Sequence, residues 1–181
     1  MQTFLLVIIL AAIFFFAVLP AVIAFYVGAP FVPTPGRAVQ KVLEAAKIKK
    51  GEKIYDIGCG DGRFVHLASK KYGAEAVGFE LSPPVYLLAK LYGLIKRSKA
   101  KIILGDSRNH SFREADKIIC YLFPGILGKF TEKFEKELKK GTLIVSYAFG
   151  IPGWKPVKEI KRDAGRRISR IMVYEMGKHK A

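Results

Sequence analysis

Hydrophobic and polar positions divide the chain into two regimes. From Thr3 to Val27 the residues are almost continuously apolar, and no Lys, Arg, Asp or Glu occurs before Arg37. About 25 residues at 1.5 Å each exceed the roughly 30 Å of a bilayer's hydrocarbon core. The pattern therefore predicts one N-terminal transmembrane helix, an anchor over residues 1–28, kinked at Pro20. A cleaved signal peptide fits less well. No basic residue precedes the run, and Tyr26-Val27-Gly28-Ala29-Pro30 is a poor cleavage site.

The second regime alternates. Residues 29–50 form a linker and a leading helix. Phe31-Val32-Pro33-Thr34-Pro35 is stiff and extended, because each proline holds the residue before it out of the helical region. Thr34 is placed as an N-cap and Pro35 in the first turn of a helix running to about Lys47, with Val39, Val42, Leu43 and Ala46 on one face.

Residues 51–181 then read as one α/β domain. Strands are expected over 53–57, 74–79, 101–104, 117–122 and 142–147, and weaker ones over 157–161 and 168–175. Helices are expected over 63–72, from Ser82-Pro83 to about Arg97, and over 125–140. In the last of these Ile126, Leu127, Phe130, Phe134 and Leu138 face inward, with Glu132/Lys136 and Glu135/Lys139 pairing outside. Strands separated by helices imply a parallel sheet with right-handed crossovers. The last two strands have only Arg162-Asp163-Ala164-Gly165-Arg166 between them, which predicts an antiparallel hairpin.

Charge changes the picture. Lys and Arg outnumber Asp and Glu by 31 to 15, a formal +16, all of it after residue 36. Arg37, Lys41, Lys47, Lys49 and Lys50 follow the apolar run, so the positive-inside rule places the C-terminal domain in the cytoplasm, beside the lipid bilayer. A nucleic-acid footprint is the other reading of that charge. Two cysteines and three scattered histidines (His66, His110, His179) supply neither a disulfide framework nor a metal site.

The chemistry concentrates in Asp56-Ile57-Gly58-Cys59-Gly60-Asp61-Gly62, where the first strand meets a helix. Ligands of open α/β sheets bind at such strand ends. The spacing is G-x-G-x-G, with Arg63 where a dinucleotide fingerprint has its third glycine. Asp56 and Asp61 would repel a pyrophosphate. They suit a nucleotide-like ligand without phosphates that carries an amine and a sulfonium. Glu80, ending the second strand, is placed to accept hydrogen bonds from ribose hydroxyls, and Asp106 in Gly105-Asp106-Ser107 to meet an adenine amino group. Leu81 and Ser107 adjoin these acids. Cys59 contributes its backbone, and Tyr121 closes the set from the fourth strand.

On these residues the chain resembles the class I S-adenosylmethionine-dependent methyltransferases over about residues 35–175. The resemblance implies a Rossmann-like, mostly parallel seven-strand sheet ending in an antiparallel hairpin, with S-adenosyl-L-methionine as cofactor. Phe31-Val32-Pro33-Thr34-Pro35, Tyr121-Leu122-Phe123-Pro124 and Ala148-Phe149-Gly150-Ile151-Pro152-Gly153-Trp154 narrow it. They resemble the small membrane-anchored protein-lysine methyltransferases, whose mitochondrial members methylate the ATP synthase c-subunit and the adenine nucleotide translocase. That likeness implies a lysine acceptor on a membrane or membrane-associated protein.

Tyr121, Phe123, Phe149 and Trp154 follow the fourth and fifth strands and are expected, with Pro124, to line the acceptor channel, under a lid made by Phe31 to Pro35. An Asn/Asp-Pro-Pro-Tyr sequence for nucleobase amines is replaced by Tyr121-Leu122-Phe123-Pro124, which disfavours that acceptor. Cys120 is expected to be a buried small hydrophobe rather than a nucleophile. His110 is a candidate general base, though more simply an exposed loop residue; His66 and His179 take no role. Three alternatives stay open: a lipid-headgroup acceptor, an RNA acceptor, and a cofactor-binding membrane protein without catalysis.

Overall fold

The computed structural model describes residues 2–14, 18 and 31–179. Its N-terminal helix α1 covers Gln2–Ile13. That is 12 residues, or roughly 18 Å of helix, well short of the bilayer core. Among the described residues no helix is long and apolar enough to cross a membrane. This corrects the expected transmembrane helix, and with it the single-pass topology and its cytoplasmic orientation. The rest of the apolar run, residues 15–17 and 19–30, together with Pro20, lies outside the described residues.

The domain itself is a seven-stranded sheet in the order β3-β2-β1-β4-β5-β7-β6. The strands are β1 (Lys53–Ile57), β2 (Glu75–Glu80), β3 (Lys101–Leu104), β4 (Lys117–Cys120), β5 (Leu143–Tyr147), β6 (Lys158–Ile160) and β7 (Ile171–Glu175). The first five pair in parallel. The expected hairpin is present, and β7 inserts antiparallel between β5 and β6. Central β4 is buried along its whole length and β5 along all but its first residue. Strands covered on both faces are buried continuously and read as mostly apolar runs rather than alternation.

One face of the sheet is covered by α2 (Gly36–Ala46) and α3 (Arg63–Tyr72), whose buried Val39, Val42, Leu43, Ala46, Phe64 and Ala68 join one core cluster. Helix α4 (Pro83–Ile95) lies beside α3 against the β2–β3 edge. The other core cluster gathers Phe112, Phe130 and Phe134 over Tyr55 and Phe79.

Three local expectations shift. Pro35, not Thr34, is the N-cap of α2, and its carbonyl takes the Ala38 and Val39 amides. Thr34 is buried, and its carbonyl accepts from the Arg63 guanidinium. The single helix expected over 125–140 breaks into α5 (Pro124–Leu127), a 3₁₀ turn (Gly128–Phe130) and α6 (Thr131–Glu137). Gly128 is a weak helix former, and its carbonyl is taken by the Thr131 hydroxyl at 2.8 Å. On α6 the ion pair formed is Lys133–Glu137, at 2.6 Å, while Glu135 faces His179.

Candidate functional site

Register brings the chemistry together. Ile57 of β1 sits level with Phe79 of β2 and Cys120 of β4, and Glu80 with Leu104 of β3. The loops after β1, β2, β3 and β4 therefore open at one edge. Chain order reverses there between β1 and β4, which is where a crevice forms in such sheets.

The glycine loop is locked by its backbone. Gly58, Gly60 and Gly62 have φ of 74°, 59° and 74°, a region that disfavours side chains. The Cys59 amide donates to the Phe79 carbonyl at 2.8 Å. The Gly60 amide donates to Glu80 Oε2 at 2.9 Å, and the Ser82 amide to Glu80 Oε1 at 2.8 Å. Glu80 thus clasps the loop and the start of α4 together. A carboxylate has about four acceptor positions, so both oxygens keep capacity for hydroxyl donors. Cys59 is buried with its sulfur against Gly78, where a Cβ would come within 2.7 Å.

Three carboxylates crowd this edge. Asp56 is 1% exposed, and its Oδ2 has no hydrogen-bond partner among the described residues. Burial first, then the Glu80 and Asp61 charges, pushes its carboxyl well above the usual range. Burial also raises Glu80, partly offset by the Ser82 and Gly60 amides. Asp61 forms an ion pair with Arg63. An orphaned carboxylate oxygen beside two more acids fits a cationic, multi-donor ligand. It excludes the pyrophosphate already disfavoured by the spacing.

The third strand contributes less freely. Asp106 caps the Ser107–Asn109 turn through the Arg108 amide, and its oxygens are forked by the Arg108 guanidinium at 2.6 to 3.0 Å. That pairing holds its carboxyl below the ordinary value. Ser107 is buried, whereas Leu81 is 47% exposed.

Beyond β4 an aromatic group assembles. Tyr121 meets Tyr147 edge-on at 5.0 Å and stacks on Phe149 at 6.2 Å; Phe123 packs on Phe149 at 5.2 Å. Pro124 opens α5 immediately after it. Trp154 is not part of this group. Its ring neighbours are Phe134, Tyr174 and His179, behind α6. Cys120 is fully buried, and burial pushes its thiol up to about 12. His110 packs on Phe79 at 4.9 Å.

Two contacts were missed from sequence alone. Tyr147 joins the aromatic group from β5, signalled only by its place at that strand's end. Arg63, which interrupts the glycine pattern, ties Asp61 to the Thr34 carbonyl. On the same segment a Cβ on Gly60 would lie 2.7 Å from the Phe31 ring, so Phe31 rests on the loop.

A family model described as the ANTKMT methyltransferase domain matches residues 56–158. A protein-lysine N-methyltransferase of Saccharolobus islandicus is 35% identical over 83% of this chain and 96% of its own. The ATP synthase c-subunit lysine N-methyltransferase of Rattus norvegicus is 30% identical over 81% of this chain, which spans 66% of that relative. Among solved structures, an RNA methyltransferase from Salinibacter ruber in complex with S-adenosyl-L-homocysteine superposes with a TM-score of 0.76. It is 27% identical and covers 83% of this chain and 97% of its own. With its S-adenosylmethionine-type loop, its acids and its sheet order, the chain belongs to the ANTKMT methyltransferase domain family of S-adenosylmethionine-dependent protein-lysine N-methyltransferases.

Proposed function

We propose that the acceptor is a protein lysine in an acidic setting, presented through the Tyr121–Phe123–Phe149 group to a cofactor held by Asp56, Gly58, Cys59, Gly60, Asp61 and Glu80. The observation that carries this reading is the orphaned, buried Asp56 oxygen at the same sheet edge as the aromatic group. When bound, S-adenosylmethionine supplies a methyl group on a positively charged sulfur. The protein's own residues do the rest.

Asp56 and Glu80 offer acceptors to an ammonium group and to ribose hydroxyls. Leu81, Asp106, Ser107 and Tyr121 border the same opening. A lysine amine is an effective nucleophile only when neutral, and its ordinary pKa is about 10.4. An apolar aromatic channel disfavours the charged form and lowers that value. Tyr121, Phe123 and Pro124 would also hold the amine in line, with the reacting atoms about 3 to 3.5 Å apart. Positioning is the main contribution required, and no titrating base is assigned.

A formal charge of +16 disfavours a lysine surrounded by other lysines. Acids flanking the target lysine would match the surface. The names of the rat and archaeal relatives support a protein acceptor, and the 27% identical RNA methyltransferase supplies the competing one. The test is label partition. Purified protein and methyl-labelled S-adenosylmethionine are incubated with a cell extract, which is then separated into protein, RNA and lipid, with Glu80→Ala in parallel. Alkali-stable label in protein, lost in Glu80→Ala, is expected. Label confined to RNA or lipid would overturn the lysine acceptor and keep the cofactor site.

A further inference from the structure

We propose that the outward face of α4 (Pro83–Ile95) is a docking surface for an anionic lipid bilayer surface. The helix is apolar on two sides, but the fold covers only one. Its inward side is Ala89 and Gly93, both buried. The fit there is close: a Cβ on Gly93 would come within 2.6 Å of the His66 ring, and His66 Nε2 lies 3.0 Å from the Ala89 carbonyl. On the opposite side Leu87, Leu91, Leu94 and Ile95 are 64%, 55%, 74% and 68% exposed. Spacings of four, seven and eight residues put them on one stripe. A helix apolar all round is normally covered all round.

Charge identifies what covers it. From Leu81 to Gly105 the chain carries Lys90, Lys96, Arg97, Lys99 and Lys101 and no acidic residue. Apolar side chains bordered by cations are the composition of helices that lie in a bilayer interface. Long lysine and arginine stems can lie along the apolar stripe while their heads reach lipid phosphates. A second copy of this chain fits poorly, because face-to-face contact sets five cations against five. The contact is lateral: 13 residues of helix rest on the surface and do not span it. The proposal is independent of the acceptor reading, since none of these residues belongs to the proposed cofactor or acceptor set.

The test uses a local probe on the full chain, so that the exposed apolar α1 does not dominate the signal. Both native cysteines, Cys59 and Cys120, are buried, so Leu91→Cys can be labelled selectively with an environment-sensitive fluorophore. Lys136→Cys on exposed α6 is the control. Vesicles of phosphatidylcholine mixed with phosphatidylglycerol should shift the Leu91 probe to the blue and raise its emission several-fold. Lipids with brominated chains should quench it, and the control should stay silent. Adding Lys96→Gln, Arg97→Gln and Lys99→Gln should weaken the response roughly a hundredfold in vesicle concentration, at about one tenfold step per 1.4 kcal/mol and about 1 kcal/mol per charge. An unchanged cofactor-induced Tm rise in each variant shows that it is folded. A silent Leu91 probe overturns the proposal. An equal response on pure phosphatidylcholine overturns the anionic assignment, and a lipid-free response that grows with protein concentration assigns the face to a second copy.

Discussion

The two halves of the site are built differently. On the β1–β2 side, seven consecutive residues, Asp56 to Gly62, and one acid 18 positions on carry nearly the whole arrangement, fastened by main-chain hydrogen bonds. On the β4–β5 side, Tyr121, Phe123, Tyr147 and Phe149 come from two strand ends, and the two ends meet through ring contacts. Main-chain clasps demand particular residues at particular spacings. Ring contacts tolerate exchange of one large apolar residue for another. The cofactor side is therefore expected to break sharply when altered, and the aromatic side gradually.

Glu80→Ala breaks that contrast most severely. It removes the acceptor of the Gly60 and Ser82 amides, each such bond to a charged group contributing roughly 1.5 to 3 kcal/mol. Cofactor affinity should fall about a hundredfold or more, with loss of cofactor-induced thermal stabilisation. Retention of that stabilisation would remove Glu80 from the site.

Asp56→Asn sharpens the same side through pH. The buried carboxyl titrates well above its unfolded value, so burial destabilises the free protein once pH rises past about 4, where the unfolded chain has ionised. The cost grows until the folded carboxyl itself ionises, then stays constant. Below both values it vanishes. In the Asp56→Asn variant this component should be absent: stability at neutral pH rises by on the order of 1 kcal/mol, while cofactor binding weakens about tenfold. Denaturant melts from acid to neutral pH, with and without cofactor, read both effects. A more stable variant that bound cofactor unchanged would contradict the assignment.

Phe123→Ala should act on the other half. Phe123 is 44% exposed, so folding should survive its loss. The acceptor KM is expected to rise about tenfold with cofactor affinity nearly unchanged. A fall in cofactor affinity as large as that of Glu80→Ala would merge the two halves into one. The smallest effect on activity is expected from Trp154→Phe. Its neighbours Phe134, Tyr174 and His179 make it a packing residue, so about 1 to 2 kcal/mol of stability should be lost with turnover preserved well below the melting temperature. A turnover loss without a stability loss would return Trp154 to the channel.

The glycine loop, Glu80 and the strand–helix alternation could be read from sequence because their causes are local. Glycines at positive φ, an acid at a strand end and apolar runs at fixed periods leave marks within a few residues. The parallel sheet and the closing hairpin followed from the same signals. The identity of the aromatic group did not, because Trp154 and Phe149 stand five residues apart in one loop yet meet different rings. Which of them faces Tyr121 depends on where β7 and α6 pack. One polar contact was equally non-local: the Arg63 guanidinium reaches the Thr34 carbonyl 29 residues away.

The apolar N-terminal run shows the limit from the other direction. Its composition is a property of the sequence, but helix length is a property of the structure, and the described α1 covers 12 residues, Gln2–Ile13. The leucines of α4 are likewise plain in sequence, where they look like core. Tertiary packing decided that only the Ala89–Gly93 side is used, because one helix against one sheet edge can bury one face. Sequence determined which residues could bind, cap and turn. The structure decided which of them face each other, because contacts between distant segments depend on the packing of every layer between them.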